Sequence, residues 1–493
     1  MAAMLSVAGW SSHATTGTVQ ARTGTDARSV GGRAAVAASD PYAYAQARWY
    51  DDTIAMKTFR PGYAFWQNIF TIPDGSIAFG SAVDGRLLAV FPSRGDWLRS
   101  GRFADPAWRT LLDDRQLPRD LDERRDEVVR LLEEVAGPVL DNPTRGRFLS
   151  PNAARYGSFL AEWGAIYERF GVPAEIGLAQ AVLESGLSGD RKSSAGAIGF
   201  CQWLKTNWKV LDKLAPVTIE AKNQTTQAAY CGAYLSVLAT KYQSFIPALS
   251  EHHSGGTNVG RAIINGARLG GGDARERYFL GADFARDLRA LATDKYRDLY
   301  RTYGPRSYRY AEMTFGNGET IRQLTNSTRQ ARIYAMRTAR TIPLAEIRRR
   351  TSLSENEIRR YNPALVKTVP ANATVYLPRY ESELGRDVAF WHRPPSVTFL
   401  SALNDLLRLD ATVEAWEDPS FARVLTDFQR RFAATNTEEG SVMATVLDYV
   451  RQEAYSSGRS EILDEFRHSS QIRELFDLAV RERDALRLAD TQR

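Results

Sequence analysis

A mainly helical protein of several domains, with a small β-containing region towards the N-terminus, is the fold class this sequence predicts. Three observations point to it. The chain has 493 residues, more than one ordinary domain holds. Apolar residues recur at helical spacing through most of 152–300 and again beyond 396. Apolar runs broken by turn formers are confined to a short stretch before residue 92.

The composition, 43% hydrophobic and 25% charged, is that of a soluble globular protein. No run approaches the ~18 consecutive apolar residues of a transmembrane helix, so none is expected. A formal charge of +6 eases association with an acidic polymer without naming one. Nucleic acid is not the expected partner. The 64 basic residues are interspersed with 58 acidic ones, and no zinc-ligand, RNP or helix-turn-helix pattern is present.

Residues 1–40 read as a disordered or targeting segment, rich in Ala, Gly, Ser and Thr. The apolar run Met4–Ala8 is too short for a secretion signal core, and Arg22, Arg28 and Arg33 follow it rather than precede it. Residues 41–150 read as an accessory α+β region. Within it, 63–92 is expected to be β structure, with Ile69, Ile72, Ile77, Phe79, Leu87, Val90 and Phe91 interrupted by Pro73-Asp74-Gly75 and Asp84-Gly85. A helix is expected over 119–141, burying Val128, Leu131, Leu132, Val135 and Val139. A linker around Tyr303-Gly304-Pro305 is expected to lead to a turn at Gly316-Asn317-Gly318. A C-terminal helical region is expected over 396–493, with stripes such as Phe421, Leu425, Phe428 and Val442, Val446, Val450 forming bundle core.

The segment Val172–Leu204 is the most informative. Pro173 suits a helix start, where its missing amide hydrogen has no helical partner. The apolar helix that follows ends in Glu184-Ser185-Gly186. A carboxyl at the inner end of such a helix is expected to resist ionisation, as a general acid must near neutral pH. Downstream stand Ser193, Gly196, Ala197, Gly199 and Gln202, in a segment whose small residues let backbone run close beneath a sugar.

Measured from Glu184, these residues fall at the offsets of the soluble lytic transglycosylase and goose-type lysozyme family, which the segment resembles; Leu187 stands where the family usually has Phe. The resemblance covers about a third of the chain and implies a lysozyme-like α-helical catalytic domain over 151–302. It extends to Gly255 and Asn258–Ala262, and to Tyr234-Leu235, although His252-His253-Ser254 replaces the family's Tyr-Asn-Ala. Lys205-Thr206-Asn207-Trp208 replaces its Pro-x-Thr-Ala.

The resemblance implies cleavage of peptidoglycan glycan strands, between N-acetylmuramic acid and N-acetylglucosamine, with Glu184 as the single acid and base and a 1,6-anhydro product. Ser193, Gly199, Gln202, His252, His253 and Tyr278 are then the expected substrate-binding residues. Asp190, Glu175 and Glu251 are the candidates should a second carboxylate take part. A metal at His252-His253 is not expected, because adjacent side chains seldom converge, and no cofactor is required. Hydrolysis by a muramidase and a non-catalytic wall-binding scaffold remain as alternatives. Cys201 and Cys231 are read either as two buried thiols or, in an exported protein, as a disulfide. The substrate implies export to the periplasm or cell wall, where wall-associated proteins are further partners.

A second unit, within 330–380, resembles the LysM module, a βααβ fold that binds N-acetylglucosamine-containing glycans. Tyr334–Arg337 reads as its first strand, Ile342–Ile347 as the entry to its first helix, Leu353–Pro363 as its second helix with the Leu-x-x-x-Asn-Pro ending, and Val375–Pro378 as its last strand. Ala339-Arg340-Thr341 replaces the family's Gly-Asp-Thr, and Asn372-Ala373 its Pro-Gly. The apolar positions predict that the fold survives; whether this unit binds sugar or only packs is left open by the residues.

Overall fold

The computed structural model describes residues 41–388, except 114, 205–211, 213–214 and 291–306, together with positions 442, 443, 445, 446, 477, 480 and 481. The expectations for 1–40 and for most of 396–493 lie outside these residues. Val442 and Val446 are described and are buried against the main core. The described protein is mainly helical with small sheets. Among the described residues no helix is long and apolar enough to cross a membrane.

Helix α1 (Pro41–Phe59) leads into a 3₁₀ segment (Pro61–Trp66) and α2 (Gln67–Thr71). The β structure expected from residue 63 therefore begins only at 76. Phe65, Trp66, Ile69 and Phe70 are spaced to share one helical face, and all four are buried in the main core. Then come β1 (Ser76–Ser81) and β2 (Leu87–Pro92), antiparallel around the Asp84-Gly85 turn. The short α3 (Trp97–Ser100) and β3 (Arg102–Phe103) follow. Helix α4 (Leu121–Ala136) is capped by the Asp120 side chain. It ends before Val139, because Gly137 and Pro138 cannot continue it. Val139 instead opens β4 (Val139–Pro143), the edge strand beside β1 in a sheet of order β3-β2-β1-β4. Ile77, Phe79, Phe91 and Trp97 meet Val128, Leu131 and Leu132 of α4 in a core of their own.

Beyond α5 (Gly146–Tyr156) the helical body consists of α6 (Leu160–Arg169), α7 (Ala174–Ser185), α8 (Thr218–Ala221), α9 (Gln224–Tyr242), α10 (Phe245–Ser254), α11 (Gly256–Arg268) and α12 (Ala274–Ala290). Helix α13 (Tyr310–Ser327) also belongs to it. Gly316-Asn317-Gly318, expected as a turn, lies inside α13. A Cβ on Gly316 would stand 2.1 Å from the Tyr63 carbonyl oxygen, so this glycine permits close helix packing rather than a bend. Asn317 is buried and donates to the Met313 and Trp66 carbonyls. Helix α13 thus packs against both the 3₁₀ segment and α7. Trp66 Nε1 donates to Glu312 Oε1 at 2.7 Å across the first of these contacts.

Asp52, fully buried on α1, joins that helix to the body. It accepts from Ser244 Oγ (2.7 Å), from the Phe245 amide (2.6 Å) and from Arg275 Nε (2.5 Å).

The unit after α13 runs β5 (Tyr334–Arg337), β6 (Ile342–Pro343), α14 (Leu344–Thr351), α15 (Glu355–Tyr361), β7 (Thr368–Val369), β8 (Thr374–Leu377) and β9 (Arg386–Asp387). Strands β5 and β8 pair antiparallel, and β6 pairs with β7. Ser354 and Glu357 form a reciprocal capping box at the start of α15. Asn362 clamps α15 to the last long strand, donating to the Tyr376 carbonyl at 2.7 Å and accepting from the Tyr376 amide at 2.9 Å.

This unit is seated on the helical body through buried groups. Asn223 Nδ2 donates to the Tyr361 carbonyl at 2.8 Å, and the Thr374 amide donates to Glu220 Oε1 at 3.0 Å. The Thr226 and Tyr376 hydroxyls bond to each other, and Arg360 donates to Ser158 Oγ. Ile219 of α8 belongs to the unit's own apolar core.

Candidate active site

Helix α7 begins directly after Pro173 and ends in a left-handed residue, Gly186, at φ 59°. The Gly186 amide donates to the Val182 carbonyl, the five-to-one bond of a left-handed glycine ending, and the Leu187 amide donates to the Ala181 carbonyl. Only glycine serves at 186. The left-handed conformation disfavours a side chain, and a Cβ there would lie 2.2 Å from the Phe148 carbonyl oxygen. Glu184 is thereby delivered at the last turn of an apolar helix, its side chain 15% exposed. Ser185, fully buried, ties the helix end to the following loop by donating to the carbonyls of Ala181 (3.0 Å) and Phe200 (3.2 Å).

The loop that carries the downstream spacing is folded on itself. Ser193 Oγ accepts from the Ala197 amide at 3.0 Å, and the Ser193 amide donates to the Ala197 carbonyl. Gly199, at φ +85°, lies against the Gln227 side chain, where a Cβ would come within 2.7 Å of the amide. Gln227 Oε1 accepts from the Phe200 amide. Gln202 Nε2 donates to the carbonyls of Arg191 (2.9 Å) and Gly199 (3.0 Å). The structure therefore engages Ser193, Gly199 and the Gln202 amide nitrogen in building the loop. The Ser193 hydroxyl hydrogen and Gln202 Oε1 are what these two side chains still offer to a ligand. Cys201 and Cys231 are joined in a disulfide that pins the loop to α9, so the reading as two free thiols is set aside.

One phenol and one imidazole meet Glu184 directly, and further rings pack around those two. The Tyr310 hydroxyl donates to Glu184 Oε1 at 2.5 Å. His252 Nε2 stands 3.5 Å from the same oxygen and is 7% exposed. His253 lies flat on Tyr310, ring centres 4.5 Å apart and planes within 8°. Tyr234 meets His252 edge-on, and Trp203 meets Tyr234 in the same manner. Both histidines thus pack around Tyr310, His253 flat on the ring and His252 tilted to it at 6.3 Å, with only His252 within 3.5 Å of the carboxylate oxygen.

Burial pushes the Tyr310 phenol well above its ordinary value, and the Glu184 carboxylate pushes it further, so Tyr310 remains a proton-bearing donor. The loss of hydration where His253 is covered holds its imidazole below 6.5, against the opposing pull of Glu184. His253 keeps an exposed side to solvent.

Tyr278, expected as the late tyrosine of the cleft, does not reach it. It is 2% exposed in the core, and burial pushes its phenol up to about 12, offset in part by a hydrogen bond with Ser250. Tyr310 is the tyrosine that meets the carboxylate. It carries no local motif, and the stretch around it has the residues of a linker and a turn.

The other carboxylates are engaged or remote. Glu251 accepts from Lys241 Nζ at 2.7 Å in a buried pair, and also bonds the Tyr242 hydroxyl. Asp190 accepts from Ser188 Oγ in an exposed loop. Glu175 stands at the opposite end of α7, roughly 13 Å away along the helix axis. Among the described residues no three His, Cys, Asp or Glu side chains gather as a metal site.

In the β-containing unit, the loop Ala339-Arg340-Thr341 is exposed, and Arg340 forms a two-pronged pair with Glu346 at the start of α14. No known family model matches the chain, and no curated protein matches it.

Proposed function

We propose that this protein is a lytic transglycosylase of the bacterial cell wall, cleaving the β-1,4 bond between N-acetylmuramic acid and N-acetylglucosamine. The observation that carries the reading is the setting of Glu184. One partly exposed carboxyl stands at the end of an apolar helix, oriented by a buried phenol, with an imidazole beside it and a glycine-containing loop tied to the next residue, Ser185.

In this reading protonated Glu184 gives its proton to the glycosidic oxygen as the C1–O bond breaks. The substrate's N-acetyl group stabilises the sugar cation. The C6 hydroxyl then attacks C1 and returns its proton to Glu184, which restores the acid and closes the 1,6-anhydro ring. A carboxyl acting in turn as acid and base contributes about two to four orders of magnitude in rate. Tyr310 holds the carboxyl's rotation through both steps. His252 and His253 form the wall where the resembled family has Tyr and Asn. The engagement of Glu251 with Lys241 and the distance of Glu175 favour this single-carboxyl route over a two-carboxylate one. The unit over 330–380 is proposed to be LysM-like and to hold the same glycan. The disulfide beside the site supports export to an oxidising compartment.

Purified protein in a peptidoglycan gel is expected to clear a band, and E184Q to leave the gel intact while remaining folded. Mass spectrometry of the released fragments is expected to show anhydro ends, one water lighter than hydrolysed ends. Hydrolysed ends would make the protein a muramidase, and a gel untouched by the unmodified protein would make it a wall-binding scaffold.

A further inference from the structure

Phe148 of α5 lies against the end of α7, its backbone and ring edge filling the space beside Gly186. Asn152 of the same helix donates to the Gly186 carbonyl at 2.8 Å. Two guanidinium groups lie over this one ring. Arg191 Cζ is 4.1 Å from the ring centre and Arg145 Cζ is 5.7 Å from it. Both arginines are exposed, and neither pairs with a carboxylate of the described residues. The acids close to them in the fold serve other donors: Asp74 accepts from the Arg147 amide, and Asp190 from Ser188.

Arg191 is held rather than loose. Its carbonyl accepts from the Gly199 amide and from Gln202 Nε2, both at 2.9 Å, so its backbone is part of the knotted loop. A guanidinium laid over an aromatic face keeps its in-plane N–H donors for a carboxylate. Two guanidinium groups against one ring make its surroundings positive, which attracts an anion. Phe148, the ring the two arginines share, touches Gly186, two residues beyond Glu184.

We propose that Arg145 and Arg191, stacked on Phe148, form a subsite for the carboxylates of an acidic glycan strand beside Glu184. The identity of the glycan rests on the cleavage reading above; the recognition of its charge does not. A muramic acid strand carries such groups from two sources, the lactyl ether and the stem peptide.

The test is a titration of full-length E184Q, which keeps the probes intact, with three tetrasaccharides of alternating N-acetylglucosamine and N-acetylmuramic acid. One has free lactyl carboxylates, one has them converted to neutral amides, and one carries stem peptides. A charged probe is expected to bind about tenfold more tightly than the neutral one, the effect of a charge-assisted bidentate contact. Which charged probe gains identifies the source. Adding R145Q and R191Q is expected to remove the gain while leaving the neutral probe's affinity unchanged, and R191K alone to keep part of it. Equal binding of all three probes, equal loss on all three, or no binding at all overturns the subsite. Charge-selective binding by a chain that leaves peptidoglycan uncut, tested with Glu184 present, overturns the cleavage reading alone.

Discussion

Tyr310 and Glu184 are 126 positions apart in the chain, yet the phenol donates to the carboxylate Oε1 at 2.5 Å. A hydrogen bond to a charged group contributes about 1.5–3 kcal/mol, which is roughly a 10- to 100-fold effect on a rate when the bond orients the reacting group. Y310F is therefore expected to lower kcat by that factor with KM and melting temperature nearly unchanged. Steady-state kinetics on soluble glycan strands measure it, and an unaltered kcat contradicts the orienting role.

His253 titrates below 6.5 because burial outweighs the pull of Glu184. Between its lowered folded value and 6.5 the unfolded chain binds more protons, so its contribution to stability falls as pH falls through that window. Two-dimensional NMR of the imidazole is expected to show a midpoint under 6.5. The midpoint should drop further in E184Q, where the attracting charge is gone. A midpoint that stays put in E184Q shows that the two groups are not electrostatic neighbours.

The disulfide between Cys201 and Cys231 closes a segment with a sequence separation of 30. Loop-closure entropy for that length gives about 3–4 kcal/mol at 25 °C. The double variant C201S/C231S is expected to lose stability of that order in urea unfolding. It should also lose activity before it unfolds, since the bond holds the loop to which Ser185, next to Glu184, is tied. Full activity in the variant at low urea removes the second expectation.

Asp52 is buried with Arg275 and caps α10 as well. Removing Asp52 leaves Arg275 only the exposed Asp273 as a counter-charge and strips the Ser244 and Phe245 donors of their acceptor, a loss of about 3–5 kcal/mol. D52A is expected to shift the urea midpoint by that much, whereas D84A, which breaks an exposed pair with Arg86, is expected to shift it by less than ~1 kcal/mol. Similar shifts for the two variants refute the assignment.

What could be read from the sequence was what local spacing governs. The limits of α7 follow from Pro173 and Gly186, and the hairpin at Asp84-Gly85 from its turn residues. The elements of the unit over 330–380 likewise follow from its apolar positions and its Asn362-Pro363 ending. What escaped depends on partners distant in the chain. The glycine at 316 looks like a break until the Tyr63 carbonyl is placed against it. Ile69 and Phe70 suit a strand as well as a helix, and it is packing under α13 that decides. In the site, Ser193, Gly199 and Gln202 were legible as a pattern, but not as the internal ties of a loop. Tyr310 had no local signal, because its meeting with Glu184 is made entirely by the docking of α13 on α7.

Ile219 sits in the apolar core of the unit that follows α13, although it belongs to a helix of the body more than a hundred residues earlier. That unit therefore is not a bead on a string. Excised at its sequence borders, it would expose a vacancy where Ile219 had been and lose the bonds to Asn223, Thr226 and Glu220. The two parts are expected to melt in a single calorimetric transition. A polymer gripped by the smaller part would meet Glu184 at a set distance and angle, more like a gauge fixed to a blade than a hook on a tether.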